Sequence, residues 1–189
     1  MQDAFMKILR AADYQWMAWK NGGGETAEIL AFPPGASMDD FDWRISMADV
    51  ASDGPFSLFP GIDRTLTFLS GDGVALDIEG QGRVVLAPSS PPLAFPGDVP
   101  VTASLTGGPV RDLNVMTRRG RYSHRVLPIE VEGHCELPIG SDIAFLFCRN
   151  GEVSVGDARL GALDAVMTRR GLLDLSGTAS LCLVLLRNE

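Results

Sequence analysis

Two arginines, Arg44 and Arg64, stand inside segments that otherwise read as core strands, and a guanidinium in such a setting demands a partner. From Ile62 the alternation is strict. Ile62, Leu66 and Phe68 share one face of an extended strand, and Arg64 lies on that face among them. A guanidinium does not shed its charge, so once buried it needs a carboxylate, a set of carbonyls, water or an anionic ligand beside it. Segment 43–47 is the mirror case, with Trp43, Ile45 and Met47 on one face and Arg44 and Ser46 on the other, a face that solvent alone would satisfy. Glu28, in the segment 26–32, shares a face with Thr26, Leu30 and Phe32 and offers a built-in counter-ion. Two readings are open at Arg64. It forms a fork that grips a ligand's carboxylate, or it pairs internally with Glu28 or its neighbour Asp63, fixing strand register and binding nothing.

Other residues offer polar contacts. Asp112, Asn114 and Met116 share a strand face opposite Leu113 and Val115, and Asn114 either bonds a ligand's polar head or belongs to a cross-strand polar row. Asn21 opens Asn21-Gly22-Gly23-Gly24, which lacks the Lys-Ser/Thr and the helix of a phosphate loop. It reads as a tight turn or a pocket rim where glycine lets backbone amides approach a ligand. Trp16, Trp19, Trp43, Phe56 and Phe59 read as core and pocket wall, and Trp43, beside Arg44, is the one placed nearest a ligand, with core packing as its alternative. No catalytic residue is assigned. Ser46 and Ser57 have no Gly-x-Ser-x-Gly elbow, and Cys148 and Cys182 have no histidine nearby in sequence, while His134 beside Cys135 would point to the opposite face of a strand.

Strands must position these groups. Turn signals recur every eight to twelve residues, among them Pro33-Pro34-Gly35, Pro60-Gly61, Gly80-Gln81-Gly82 and Pro96-Gly97-Asp98, with short pleat-matched segments between them. Only the first residues and 88–95 break the pattern, and the latter is too rich in proline to be more than a loop. Two hairpins are expected, one over 65–78 around Gly71-Asp72-Gly73 and one over 143–155 with Asn150-Gly151 as its turn. The hexapeptide Val115-Met-Thr-Arg-Arg-Gly120 recurs as Val166-Met-Thr-Arg-Arg-Gly171, a hint of duplication at a spacing short for a full barrel.

Composition narrows the function. The 189 residues carry 24 acidic and 16 basic side chains, a net charge of −8, so no basic face is available for nucleic acid. Apolar runs such as 181–186 fall far short of the roughly 20 residues a spanning helix requires. The N-terminal segment lacks the apolar core of a secretory signal. With three widely spaced cysteines expected to be reduced, the location expected is the cytoplasm.

The blocks Trp19-Lys-Asn-Gly-Gly-Gly-Glu-Thr-Ala-Glu-Ile, Trp43-Arg-Ile-Ser, Gly54-Pro-Phe-Ser-Leu-Phe-Pro-Gly-Ile-Asp-Arg64 and Asp112-Leu-Asn-Val-Met116 occur in an order that resembles the HutD/Ves family of cupin-like proteins. The resemblance covers most of 14–120. It implies an all-β, cupin-like double-stranded β-helix with two fused cupin-type units, a bicupin. The division expected is 1–120 as the N-terminal unit and 121–189 as a smaller C-terminal one packed into the same body. It also implies a small-molecule-binding or regulatory role, in some members beside histidine-utilisation enzymes, with urocanate or formylglutamate as the suggested carboxylate. The metal centre of many cupins is not expected, since His124 and His134 do not form the His-x-His pair that such a site requires. No metal and no cofactor is assigned.

The function expected is therefore a non-enzymatic protein that binds a small carboxylate through Arg64, with Arg44, Trp43, Ser46, Glu28, Asn114 and Asn21 as further candidate contacts. One alternative is a metal-independent isomerase or lyase with Glu28 or Asp63 as general base and an arginine at the oxyanion. A second is an interaction scaffold with a filled interior. A homodimer through a sheet face suits the architecture.

Overall fold

A computed structural model describes residues 5–189. In chain order the strands are β1 (Met6–Leu9), β2 (Gln15–Ala18), β3 (Gly24–Phe32), β4 (Trp43–Val50), β5 (Gly54–Pro55), β6 (Ile62–Ser70), β7 (Val74–Ile78) and β8 (Gly82–Leu86). They continue with β9 (Leu93–Pro96), β10 (Val101–Leu105), β11 (Val110–Arg118), β12 (Tyr122–Ile139), β13 (Ile143–Val155), β14 (Ala158–Leu160), β15 (Ala165–Thr168) and β16 (Gly171–Asn188). Among the described residues the one helical element is a 3-10 turn, Ala11–Asp13. The fold is all-β, and no helix is long and apolar enough to cross a membrane.

The chain forms two compact units, one of Gln15–Tyr122 and one of residues 5–14 with Ser123–Glu189. In the first, a six-stranded sheet has the order β2-β3-β4-β11-β6-β9 and a four-stranded sheet the order β5-β10-β7-β8. The apolar inward residues of both meet in one core, Ala48, Leu66 and Phe68 from the larger sheet against Val74, Leu76, Val101 and Ala103 from the smaller. Each large side chain sealed there contributes about 1.5–3 kcal/mol. The other face of the larger sheet is covered too, with Trp43, Ile45, Met47, Leu113 and Val115 all buried. Sheets covered on both sides lose the apolar-in, polar-out signature.

In the second unit the sheet order is β1-β15-β13-β16-β12, with β14 pairing off β13. Leu146, Val153, Leu160, Leu175 and Leu181 form its core. Asp164 anchors the N-terminal segment, accepting hydrogen bonds from Arg10 Nη1 (2.8 Å) and the Ala11 amide (2.9 Å).

Both expected hairpins are corrected. β6 and β7 do not pair: β6 lies between β11 and β9, whereas β7 lies between β10 and β8. Gly71-Asp72-Gly73 instead carries the chain from one sheet to the other. Gly71 and Gly73 have φ of 115° and 141°, and a Cβ at Gly71 would lie 2.7 Å from the Pro109 carbonyl oxygen. Residues 143–155 form one continuous strand whose register against β16 slips at Arg149, between Cys148 and Asn150, while Asn150 and Gly151 pair with Ser180 and Ala179. Gly151 has a φ of 80°, so the positive φ that Asn-Gly supplies to a type I′ turn is used here inside a strand, just past the bulge. The first described residues also differ from expectation, being a strand paired with β15, and part of 88–95 joins β9.

Candidate functional site

Four adjacent strands bring the polar candidates together on the inner face of the larger sheet. Met116 of β11 stands opposite Arg44 on one side and Arg64 on the other, Asn114 opposite Ser46 and Leu66, and Asp112 opposite Ala48 and Phe68. Glu28 of β3 stands opposite Ser46. Directly opposed side chains lie about 4.5–5.5 Å apart at Cβ, so this register forces the groups into one cluster.

Arg64 is only 6% exposed. Its Nη2 donates to Asn114 Oδ1 (2.8 Å), and Asn114 Nδ2 donates in turn to Asp112 Oδ1 (2.6 Å). The guanidinium carbon sits 5.2–5.4 Å from the ring centres of Phe56, Phe59 and Phe95. Its stem lies against Gly97, where a Cβ would come within 3.3 Å of Arg64 Cγ and Cδ. Arg64 Nε is buried without a hydrogen-bond partner, and such an orphan donor on a charged group demands explanation. Burial lowers the Arg64 pKa to about 10, with Asp112 opposing the shift and Arg44 adding to it, so the group stays cationic at neutral pH. Burial pushes the Asp112 carboxyl up to about 7, against the pull of Arg64.

Arg44 is as deeply buried, and it completes the cluster. Its Nε donates to Glu28 Oε2 (2.9 Å) and its Nη1 to Ser46 Oγ (3.0 Å). The Glu28 side chain is 40% exposed, so this pair runs from the interior toward solvent.

The structure thus gathers Arg64, Arg44, Ser46, Glu28 and Asn114, and leaves out Trp43 and Asn21. Trp43 points to the opposite face and stacks on Phe32, with ring centres 5.9 Å apart. Asn21 is an exposed turn residue whose Oδ1 accepts the Gly23 amide (3.0 Å). The Arg44 face is sealed, not wet: Arg44 and Ser46 are buried, and further along the same face Ala48 packs into the core shared with the four-stranded sheet. A register slip between Glu28 and Leu30 places Leu30 and Phe32 opposite Ile45 and Trp43, on the face away from Glu28. Neither carboxylate expected at Arg64 pairs with it: Glu28 takes Arg44, and Asp63 takes Arg119 (2.7 Å).

Sequence reasoning placed Asp112 on the Asn114 face by their i, i+2 spacing without naming it as a contact, and it missed Phe95. Phe95 reaches Arg64 only through the β6–β9 pairing, which local pattern does not reveal. Among the described residues no group of three or more His, Cys, Asp or Glu could hold a metal ion.

Asp112 sets a pH dependence of stability. A carboxyl whose folded pKa lies above its unfolded value of about 3.9 contributes stability below that value and loses it as pH rises through the folded one. With the folded carboxyl at about 7, the urea midpoint is expected to fall between pH 5 and 8. In Asp112→Asn that slope should vanish; an unchanged slope would assign it elsewhere.

Comparison with known proteins agrees with this architecture. The HutD family model matches residues 11–183. An uncharacterised 21.2 kDa protein in the hutC 3′ region of Pseudomonas putida is 37% identical over 95% of this chain and 96% of its own length. Protein Ves of Citrobacter koseri is 40% identical over 76% of this chain and 73% of its own. The solved structure of HutD from Pseudomonas fluorescens SBW25 superposes with a TM-score of 0.85 at 36% identity, covering 98% of this chain and 100% of that one. At 8% identity, oxalate decarboxylase from Lactobacillus farciminis still superposes with a TM-score of 0.62 over 95% of this chain and 85% of that one, a likeness of fold alone. An all-β chain of cupin-like fold that the family model matches almost from end to end, this protein belongs to the HutD family.

Proposed function

We propose that this protein binds a small carboxylate through Arg64 and, by doing so, tunes histidine utilisation. The observation that carries this reading is the state of Arg64: a sealed guanidinium whose direct hydrogen-bond partner is a neutral amide, with Nε unused. Arginine's planar fork matches a carboxylate's two oxygens, and binding one would give Arg64 a directly bonded anion, whereas Asp112 reaches it only through Asn114. Arg44, held by Glu28 and Ser46, adds positive potential nearby. The link to histidine utilisation rests on the family and on the relative from the hutC region.

The isomerase or lyase reading is weakened, because both proposed bases are engaged by arginine, Glu28 by Arg44 and Asp63 by Arg119. We also take the two units as two cupin-type repeats, a reading supported by the Val-Met-Thr-Arg-Arg-Gly hexapeptide, which closes β11 in one and β15 in the other with its valine and threonine buried both times. A cytoplasmic location suits three free cysteines.

The test is calorimetric titration of the intact chain with urocanate, formylglutamate, glutamate and formate, together with mass spectrometry of any metabolite retained through purification. One carboxylate bound per chain is expected. No heat with any of the four, and no retained carboxylate, would reject the assignment.

A further inference from the structure

Inside the larger sheet the charges balance before any ligand arrives. Two guanidiniums, Arg64 and Arg44, face two carboxylates, Asp112 and Glu28, and the carboxylates are held differently. Glu28 bonds its arginine directly and reaches solvent. Asp112 is 2% exposed and is separated from Arg64 by the Asn114 amide, whose oxygen accepts from the cation and whose nitrogen donates to the carboxylate. That amide relays the interaction of two buried charges that do not touch.

Among the described residues, the surroundings of Asp112 offer no other cation to absorb an added negative charge. β4 contributes Arg44, already committed to Glu28, and Asp49, which Arg111 of β11 holds through two hydrogen bonds (2.5 and 2.6 Å). Asp49 itself disfavours a charged Asp112. β6 contributes Arg64, β9 contributes Phe95, and the facing four-stranded sheet contributes apolar side chains. A carboxylate bound at Arg64 would leave the cluster one negative charge in excess, in a region where like charges a few ångströms apart do not both persist.

We propose, resting on the reading of Arg64 as the partner of a carboxylate, that the site takes up one proton on Asp112 for each monocarboxylate it binds. The ligand enters as an anion, and ligand plus proton together leave the buried charge unchanged. Asp112 is then a positioning residue in the empty site, where its charge holds Asn114 and through it Arg64, and becomes a neutral acid when the ligand supplies the counter-charge. With the carboxyl already near 7, the empty site carries the proton in mildly acid solution and must acquire it in mildly alkaline solution.

The experiment is calorimetry of the intact chain with formate at about pH 6 and about pH 8.5, and with urocanate at about pH 8.5, where its own imidazole is neutral, each in two buffers of different ionisation enthalpy, so that the protons exchanged are counted directly. Uptake is expected to rise from near zero at the lower pH to about one proton per ligand at the higher, with affinity falling roughly tenfold per pH unit above about 7. Asp112→Asn should still bind, take up no proton and show a flat pH profile. Should that variant fail to fold, infrared difference spectra of the wild-type protein at the higher pH should show a protonated carboxyl band appearing on saturation with formate. Binding without proton uptake, or uptake undiminished in folded Asp112→Asn, would overturn the coupling and leave the carboxylate site standing. Absence of binding by both probes would overturn the site itself, and the coupling with it.

Discussion

Arg64→Met is expected to abolish carboxylate binding while leaving a folded protein. Truncating one partner of a buried, hydrogen-bonded charge pair costs about 2–5 kcal/mol of affinity, equivalent to a loss of roughly 30-fold to several-thousand-fold. Methionine is the informative replacement because it fills the space among Phe56, Phe59 and Phe95 without a charge. Removing the cation leaves Asn114 Oδ1 and the buried Asp112 carboxyl without it, so the urea midpoint should fall, and fall less in mildly acid solution, where Asp112 carries a proton. In Arg64→Lys the charge survives but the planar fork does not, and binding should fall by about tenfold, between wild type and methionine. Calorimetry on all three proteins, paired with urea unfolding, separates the effects. Undiminished affinity in a folded Arg64→Met would remove Arg64 from the site.

The second large effect is expected at Gly151. Its φ is 80°, and a Cβ there would collide with the Thr178 carbonyl oxygen and lie 2.8 Å from Ala179 Cα, both backbone atoms of β16 that cannot swing aside. Left-handed strain of about 1–2 kcal/mol and an overpacking term of about 1–3 kcal/mol together predict that Gly151→Ala loses about 2–5 kcal/mol. Gly80 is the control, since it has the same φ of 80° with nothing within 4 Å of an added Cβ. Gly80→Ala should show the conformational part alone, about 1–2 kcal/mol. Equal losses in the two variants would mean that the β13–β16 pairing tolerates a side chain at Gly151.

These two positions also mark where sequence legibility began and ended. Arg64 was readable as an interior residue because Ile62, Leu66 and Phe68 flank it at the pleat period, and the period is local. Its companions were harder. Arg44 shares a face with Ser46, and nothing in 43–47 announces that this face is buried. Glu28 was given the right role of counter-ion but the wrong arginine and the wrong face-mates, because a one-residue slip between Glu28 and Leu30 reverses every side chain beyond it. Segments were found; their partners were not. β6 pairs with β11 some fifty residues away, and that choice is made by burial of both sheet faces rather than by any turn between neighbours.

The crossing at Gly71-Asp72-Gly73 has a bearing on how this protein can change over time. Neither glycine has room for a side chain, since a Cβ at Gly71 would press on Pro109 and one at Gly73 would lie 2.7 Å from Thr106 Oγ1, while Asp72 Oδ2 accepts the Gly108 amide (2.9 Å). That end of the two sheets is therefore frozen against mutation. Arg64 lies seven residues upstream of Gly71, roughly 23 Å along an extended strand, beside the 54–61 loop that carries half-buried Phe56 and Phe59. Evolutionary drift and laboratory selection then share one outlet: new ligand preferences would be acquired by rewriting that loop's length and aromatic content, with the arginine and its amide inherited intact.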